Sequence, residues 1–154
     1  MADFEYYTQF ILKGNETNRS FRHNFFPVSK KEIDVAEERL GFCLPQELVN
    51  FYLQIGYGFM FMHEEYAFNS LLHPSTIVAI QLREDQFETD PDLEIYDDAS
   101  KIIFYQVNEG IYLTMDHSKE TSGIYYLGNR IAESFHDFII KLEQDSSYFE
   151  SYEI

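Results

Sequence analysis

The stretch from Ser29 to Gly58 constrains the fold more than any other, because the residues that begin and end helices in it predict two short helices separated by a tight break. Ser29 is a suitable N-cap, and Glu32 follows at the spacing that lets both side chains satisfy backbone N–H groups. Gly41 stands where a helix ends with a positive φ, which glycine adopts without a Cβ penalty. The apolar face of this first predicted helix carries Ile33, Ala36 and Leu40.

The second predicted helix follows the break directly. Pro45 suits its first turn, where a missing N–H costs nothing, and Gly56 closes it. Its apolar stripe consists of Leu44, Leu48, Phe51, Tyr52 and Ile55. No catalytic group stands out on either helix, so the predicted role of both is packing.

These helices carry a resemblance to a known family. A Leu-Gly pair followed by a Leu-Pro pair and a later Gly-x-Gly resembles the opening of the SUKH superfamily. A Ser-Phe pair at Ser134 and Phe135, with Phe138 three residues on, is similar to the start of that superfamily's closing helix. The resemblance spans about residues 29–142. Its opening positions are Ile33, Ala36, Leu40, Gly41, Leu44, Pro45, Leu48, Tyr52, Gly56 and Gly58.

The resemblance implies a fold and a class of function. Members of the superfamily have a sheet after the two helices and a helix that closes the fold. Bacterial members are mostly immunity proteins that bind and neutralise secreted toxins, many of them nucleases. The yeast cell-wall assembly regulator belongs to the same superfamily and acts through protein partners. The positions of the motif are implied to be structural, so they do not identify a binding surface.

The rest of the chain predicts an α+β fold in which helices pack against a mainly antiparallel sheet. The segment after Pro74 suits a helix or a strand, and the resemblance favours the helix. The run at 59–62 is continuously apolar, which predicts a strand buried on both faces. Alternation in the strand at 111–116 predicts one buried face. The predicted elements are a helix at 3–13, strands at 59–62, 66–72, 102–107, 111–116 and 123–127, and a closing helix from Ser134.

We expect a single domain over residues 1–154, with a core at about 29–142. The sequence does not decide whether the acidic, aromatic tail at 144–154 docks, swaps onto a neighbour or frays. Cys43 is the one cysteine and is predicted to be a buried structural thiol. Together with the lack of a signal peptide pattern, it favours a reducing cytoplasm.

The charge is strongly negative and unevenly distributed. The chain has 11 Lys and Arg against 27 Asp and Glu, a net charge of −16. Residues 1–42 are almost balanced, whereas residues 43–154 hold five basic and twenty acidic side chains. Such a field repels phosphate backbones and anionic lipid, so direct binding to nucleic acid or membrane is disfavoured. It attracts a basic protein partner, although acidity that serves only solubility is an equal alternative.

Acidic side chains are densest between Glu84 and Asp98, a stretch without lysine or arginine that is named the acidic segment below. Like charges repel and resist burial, so we expect an exposed, partly mobile loop. It serves either as a solvated face or as a docking surface in which Tyr96 is an aromatic anchor. The predicted partner-binding residues are Glu64, Glu65, Glu84, Asp85, Glu88, Asp90, Asp92, Glu94, Tyr96, Asp97 and Asp98.

No pattern indicates a metal, a cofactor or a catalytic centre. The sequence after His63 lacks the second histidine of a zinc motif, and the acidic segment lacks the order of a calcium loop. Asp116, His117 and Ser118 are neighbours in a turn, which rarely forms a triad. We therefore expect no metal and no cofactor.

Three hypotheses about function follow. The first is a cytoplasmic immunity protein that neutralises a toxin, possibly a nuclease, by stoichiometric binding. The second is a regulatory or scaffold module of the same fold that binds endogenous partners. The third, an enzyme, lacks a convergent cluster of nucleophile, base and orienting group. The sequence leaves the oligomeric state and the identity of the partner open.

Overall fold

One antiparallel sheet forms the centre of the described chain, and each strand pairs with the next strand in sequence. The computed structural model describes residues 4–12, 22–63, 68–117 and 122–152. The predicted α+β class with a mainly antiparallel sheet is confirmed. The strands are β1 (Asn24–Phe26), β2 (Tyr57–Phe59), β3 (Ser70–Leu71), β4 (Lys101–Asn108), β5 (Ile111–Asp116), β6 (Ile124–Tyr126) and β7 (Asn129–Ala132).

The helices begin and end largely where local capping chemistry predicts. The α-helices are α1 (Lys30–Leu40), α2 (Gln46–Gln54), α3 (Pro74–Gln81) and α4 (Phe135–Gln144). The capping box of α1 is confirmed: the Glu32 backbone N donates to Ser29 Oγ at 3.2 Å, and the Ser29 backbone N donates to Glu32 Oε2 at 2.7 Å. Gly41 ends α1 with a φ of 82°. The helix after Pro74 and the closing helix are also confirmed.

Two terminal segments form 3₁₀ helices, at Glu5–Phe10 and Tyr148–Tyr152. The predicted helix at 3–13 is thus shorter and tighter than expected, and its ends lie outside the described residues. A 3₁₀ helix aligns residues three apart, and it buries both Phe4 and Tyr7. In the described part of the tail, Phe149 is buried and its ring lies 5.1 Å from that of Tyr126 in β6.

Aromatic rings fill the space between the sheet and helices α2 and α4. The ring of Phe51 in α2 lies 5.3 Å from Phe135 in α4 and 5.6 Å from Phe25 in β1. Phe138 in α4 lies 5.7 Å from Phe104 in β4. All five side chains are fully buried. Both helices therefore cover the same side of the sheet, named the inner face, and the opposite side is named the outer face.

Three sequence-based expectations about burial are wrong. The run at 59–62 is predicted to be a strand buried on both faces, but the strand ends at Phe59. Phe59 is 45% exposed and Met62 is 43% exposed. Cys43 is exposed because Leu44, its neighbour, takes the buried position in the α1–α2 connection. Tyr112 in β5 is buried although it lies on the side predicted to face solvent. The acidic segment, which crosses that side, is the cause, as described below.

Gly56 and Gly58 let β1 pass unusually close to the chain that follows α2. A Cβ atom on Gly56 would lie 2.0 Å from the Phe26 carbonyl oxygen, and one on Gly58 would lie 2.2 Å from the Asn24 carbonyl oxygen. Both residues also have positive φ. The Gly-x-Gly of the motif is therefore required by backbone-to-backbone packing, not by a ligand.

Gly58→Ala is expected to lower the free energy of unfolding by about 3 kcal/mol or more, because backbone atoms cannot move aside as a flexible side chain would. Gly41→Ala is the matched control. Gly41 has a positive φ but open space around its Cβ position, so the loss should be about 1 kcal/mol. Urea unfolding measures both changes. Equal losses in the two variants would contradict the packing argument.

A buried cluster ties the N-terminal 3₁₀ helix and β1 to α4. Tyr7 Oη donates to Glu143 Oε1 at 2.8 Å, and Arg22 pairs with the other oxygen of that carboxylate. His23 is fully buried; its Nδ1 accepts from the Phe61 backbone N at 3.1 Å and its Nε2 lies 3.2 Å from Glu143 Oε1. Burial lowers the pKa of His23 to about 4. Burial opposes ionisation of Glu143, but hydrogen bonds from Tyr7 and Arg22 outweigh it and lower that pKa.

Acid is therefore expected to destabilise the protein from about pH 6.5 downward. The pKa of His23 is lower in the folded state than in the unfolded chain, so its contribution is present above pH 6.5 and is lost as the pH falls to about 4. The loss amounts to at most about 3 kcal/mol. His23→Gln, whose amide can still accept and donate, should be less stable at neutral pH and show a shallower decline in this window. Unfolding curves that decline equally in the variant would contradict this role.

Candidate functional site

The acidic segment is folded onto the outer face of the sheet. It contains two 3₁₀ turns, at Asp85–Phe87 and Pro91–Leu93. Its end at Asp98 contacts the beginning of β4, and Asp92 lies against Gly110 in the turn after β4. The segment therefore runs along the length of β4 and contacts the chain at both ends of that strand, while most of its side chains are exposed, as expected.

Arg83, directly before the segment, organises it. Its guanidinium donates to three backbone carbonyls: those of Ile80, of Leu93 at 3.3 Å and of Tyr96 at 2.9 Å. Arg83 itself has a φ of +54°, so the chain turns sharply out of α3 at this residue. A planar group with five donors suits such a fork, which a lysine could not form. The Arg83 side chain thus links the end of α3 to two positions within the acidic segment through three hydrogen bonds.

Two apolar side chains of the segment face the sheet. Leu93 is 2% exposed. Tyr96 is half-buried, and its hydroxyl accepts from the Tyr112 backbone N at 3.0 Å. Burial raises the pKa of the Tyr96 hydroxyl above its ordinary value. The hydroxyl of Tyr96, the residue predicted to anchor a partner, therefore forms a hydrogen bond within the chain.

At its C-terminal end the segment is held by a polar network. Lys101 Nζ lies 2.9 Å from Asp98 Oδ2, 3.7 Å from Asp116 Oδ1 and 4.5 Å from the ring centre of Tyr125. The Tyr125 hydroxyl donates to Asp116 Oδ2 at 2.9 Å. Hydrogen bonds from Ser100 and Lys101 lower the pKa of Asp98, and the bond to Asp98 raises the pKa of Lys101. Asp98 therefore fastens the segment to the sheet and is not a free carboxylate.

The remaining predicted partner-binding residues differ in their availability. Glu84 pairs with Arg39 of α1, and Asp90 Oδ1 accepts from the Asp92 backbone N at 3.0 Å. Glu64 and Glu65 lie outside the described residues. Within the described part of the chain, four exposed carboxylates of the segment take part neither in an ion pair nor in the turn formed by Asp90 and Asp92. These are Asp85, Glu88, Glu94 and Asp97.

A cleft of about 500 Å³ opens between the acidic segment and the outer face of the sheet. Ile103, Thr114 and Tyr125 are register partners on β4, β5 and β6, so they form one row across that face. Ile95 of the segment and Leu127 of the β6–β7 turn also line the cleft. They are 67% and 42% exposed. The cleft therefore has a mixed lining, in which these apolar side chains lie beside the polar side chains of Gln81, Asp98 and Lys101.

Sequence patterns do not indicate this cleft directly, because the residues that line it come from four separate stretches. Two local anomalies could have indicated it. Ile95 is a large apolar residue inside a run of carboxylates. Leu127 occupies the first position of a two-residue hairpin turn, where asparagine, aspartate or glycine is usual.

Catalytic and metal-binding arrangements are not evident in the residues that the structure describes. No group of three or more His, Cys, Asp or Glu side chains among them could hold a metal ion. His117 Nε2 lies 2.7 Å from the Ala99 carbonyl oxygen, and its ring stacks on Phe42 at 3.8 Å. Its neighbour Asp116 bonds instead to Tyr125. None of the described helices has the length and apolar character needed to cross a bilayer.

Arg83→Ala is expected to loosen the acidic segment and to lower the free energy of unfolding by about 2 kcal/mol, because three carbonyls lose a charged donor. Hydrogen exchange of the amides at 84–98 should accelerate, while exchange in α2 and β4 changes little. Arg83→Lys keeps the charge but not the fork, so it should resemble the alanine variant. Full protection of the segment in Arg83→Lys would show that charge alone suffices.

Comparison with known proteins agrees with this architecture. Residues 27–141 match the model of the SMI1 / KNR4 family (SUKH-1). The chain is 36% identical over 142 residues to the immunity protein YxxD of Bacillus subtilis, which covers 90% of this chain and 92% of that protein. No solved structure matches the chain. The matched region contains both helices of the motif, most of the sheet and most of α4. The chain therefore belongs to the SMI1 / KNR4 family (SUKH-1).

Proposed function

We propose that this protein is an immunity protein that neutralises a toxin by binding it stoichiometrically in the cytoplasm. The observation that carries the proposal is the 36% identity to an immunity protein over nine-tenths of the chain. The proposed mode of action is occlusion, since the described residues offer a shaped acidic surface and no catalytic cluster. The oligomeric state does not enter this proposal.

The chemistry of the surface supports a basic partner. Four exposed carboxylates stand on a segment that is fastened to the sheet by Arg83, Tyr96 and Asp98. Carboxylates on an ordered segment need little further ordering when a partner binds, so less free energy is lost. Their position within a chain of net charge −16 favours fast association with a cationic surface. A nuclease, whose active site attracts phosphate, would present such a surface.

Affinity capture from the source cells, at low and at moderate salt, tests the proposal. Recovery of one basic protein in near-equal amount, followed by inhibition of its activity with purified components, is the expected result. Recovery of endogenous housekeeping proteins would favour the regulatory or scaffold alternative. A toxin that is bound but not inhibited would contradict neutralisation by occlusion.

The triple charge reversal Glu88→Lys, Glu94→Lys and Asp97→Lys is expected to slow association with the captured toxin about tenfold or more and to flatten its salt dependence. Asp90 and Asp92, which the sequence also suggested, are unsuitable because they contribute to the turn itself. Stopped-flow mixing measures the rate. The triple variant should unfold at nearly the wild-type temperature.

A matched control separates local from global charge. Glu38, Glu133 and Glu150 are exposed and lie outside the acidic segment, so reversing all three changes the net charge equally. This control should slow association much less. Equal slowing by both triple variants would show that net charge, and not the acidic segment, steers the partner.

A further inference from the structure

We propose that the cleft beneath the acidic segment is the anchor site of the toxin interface, and that it takes an aliphatic or aromatic side chain flanked by lysine or arginine. This inference rests on the proposed toxin-binding function and specifies the chemistry of the contact. The partner segment would place its apolar side chain between Ile95 and Leu127 and its cations against the exposed carboxylates of the adjoining acidic segment.

The size and lining of the cleft fit one large apolar side chain and its neighbours. A volume of about 500 Å³ falls within the range of ligand sites in proteins. Ile95 has the largest exposed fraction among the large apolar side chains of the described residues. An apolar patch rimmed by polar groups commonly marks a protein contact. A bound partner would remove from water two apolar side chains that the described chain leaves 67% and 42% exposed, Ile95 and Leu127.

Charge complementarity selects the occupant. Lys101 is the one cation among the residues that line the cleft, and it is already neutralised by Asp98 and Asp116. Glu94 and Asp97 flank Ile95 and Tyr96 in sequence and are exposed. A purely apolar segment would leave these carboxylates without partners, and an acidic one would be repelled. A second copy of this chain is disfavoured for the same reason, since its net charge is −16.

The backbone conformation at Leu127 costs conformational free energy that a different residue at this position would avoid. Leu127 and Gly128 form the two-residue turn between β6 and β7, with φ values of 49° and 86°. Both values are positive, the pattern of a type I′ turn, which favours Asn-Gly. A leucine there is strained and half-exposed, and residues that break a local rule without a structural gain are often functional. The gain proposed here is an apolar contact with the partner.

Leu127→Asn therefore separates function from stability. Asparagine tolerates a positive φ better than leucine, so the melting temperature should stay the same or rise. Ile95→Asn removes the facing apolar side chain. The control is Ile140→Asn, which changes a residue of similar exposure (45%) on α4.

The probe is a synthetic peptide, Lys-Lys-Leu-Leu-Lys-Lys with blocked ends, titrated to millimolar concentration into the isotope-labelled full-length protein and followed by NMR. The expected result is saturable shifts of the Ile95, Ile103 and Leu127 amides. Affinity should fall about tenfold or more when serines replace the peptide leucines, and also in Leu127→Asn and Ile95→Asn. Ile140→Asn should bind as the wild type does. Shifts elsewhere, equal binding of both peptides, or concentration-dependent self-association through the cleft would overturn the inference.

The captured toxin distinguishes failure of this inference from failure of the proposed function. If wild-type protein inhibits the toxin and Leu127→Asn inhibits it with unchanged affinity, the cleft is not the anchor, although the immunity function stands. If the peptide binds in the cleft but the wild-type protein inhibits no toxin, the proposed function fails while the chemistry of the cleft holds.

Discussion

The fork of hydrogen bonds from Arg83 is the interaction on which the outer face of this protein depends. Eight carboxylates lie between Glu84 and Asp98, and their mutual repulsion favours an expanded chain. Arg83 opposes that expansion by binding the carbonyl of Ile80, before the segment, and those of Leu93 and Tyr96 within it. The result is a strip of negative charge that lies against the sheet.

We propose that stability and recognition belong to opposite faces of one sheet. The inner face is packed with fully buried aromatic rings from β1, β4, α2 and α4. The glycines of the motif serve that packing by letting β1 approach. The outer face bears the acidic segment and the cleft, where substitutions should disturb the core little. Such a division lets a family keep one core while its members present different surfaces to different partners.

The sequence predicted what local chemistry determines and missed what distant residues create together. The capping box at Ser29, the helix end at Gly41 and the closing helix from Ser134 follow from spacing alone, and the structure has them. The burial of Tyr112 and the attachment of Tyr96 depend on a segment that returns to the sheet from elsewhere. No periodicity within β5 could reveal that cover. The cleft was missed for the same reason, although Ile95 and Leu127 are each unusual for their neighbourhood.

The measurement that tests the central claim most directly is hydrogen exchange on the complex with the captured toxin, compared with the free protein. Here the account predicts new protection of the backbone amides in two places, the acidic segment at about residues 93–98 and the turn at 126–129. The exposed sides of α2 and α4 should exchange as they do in the free protein. Protection concentrated on α2 and α4, with the segment and the turn unchanged, would place the interface on the wrong side of the sheet and contradict the account.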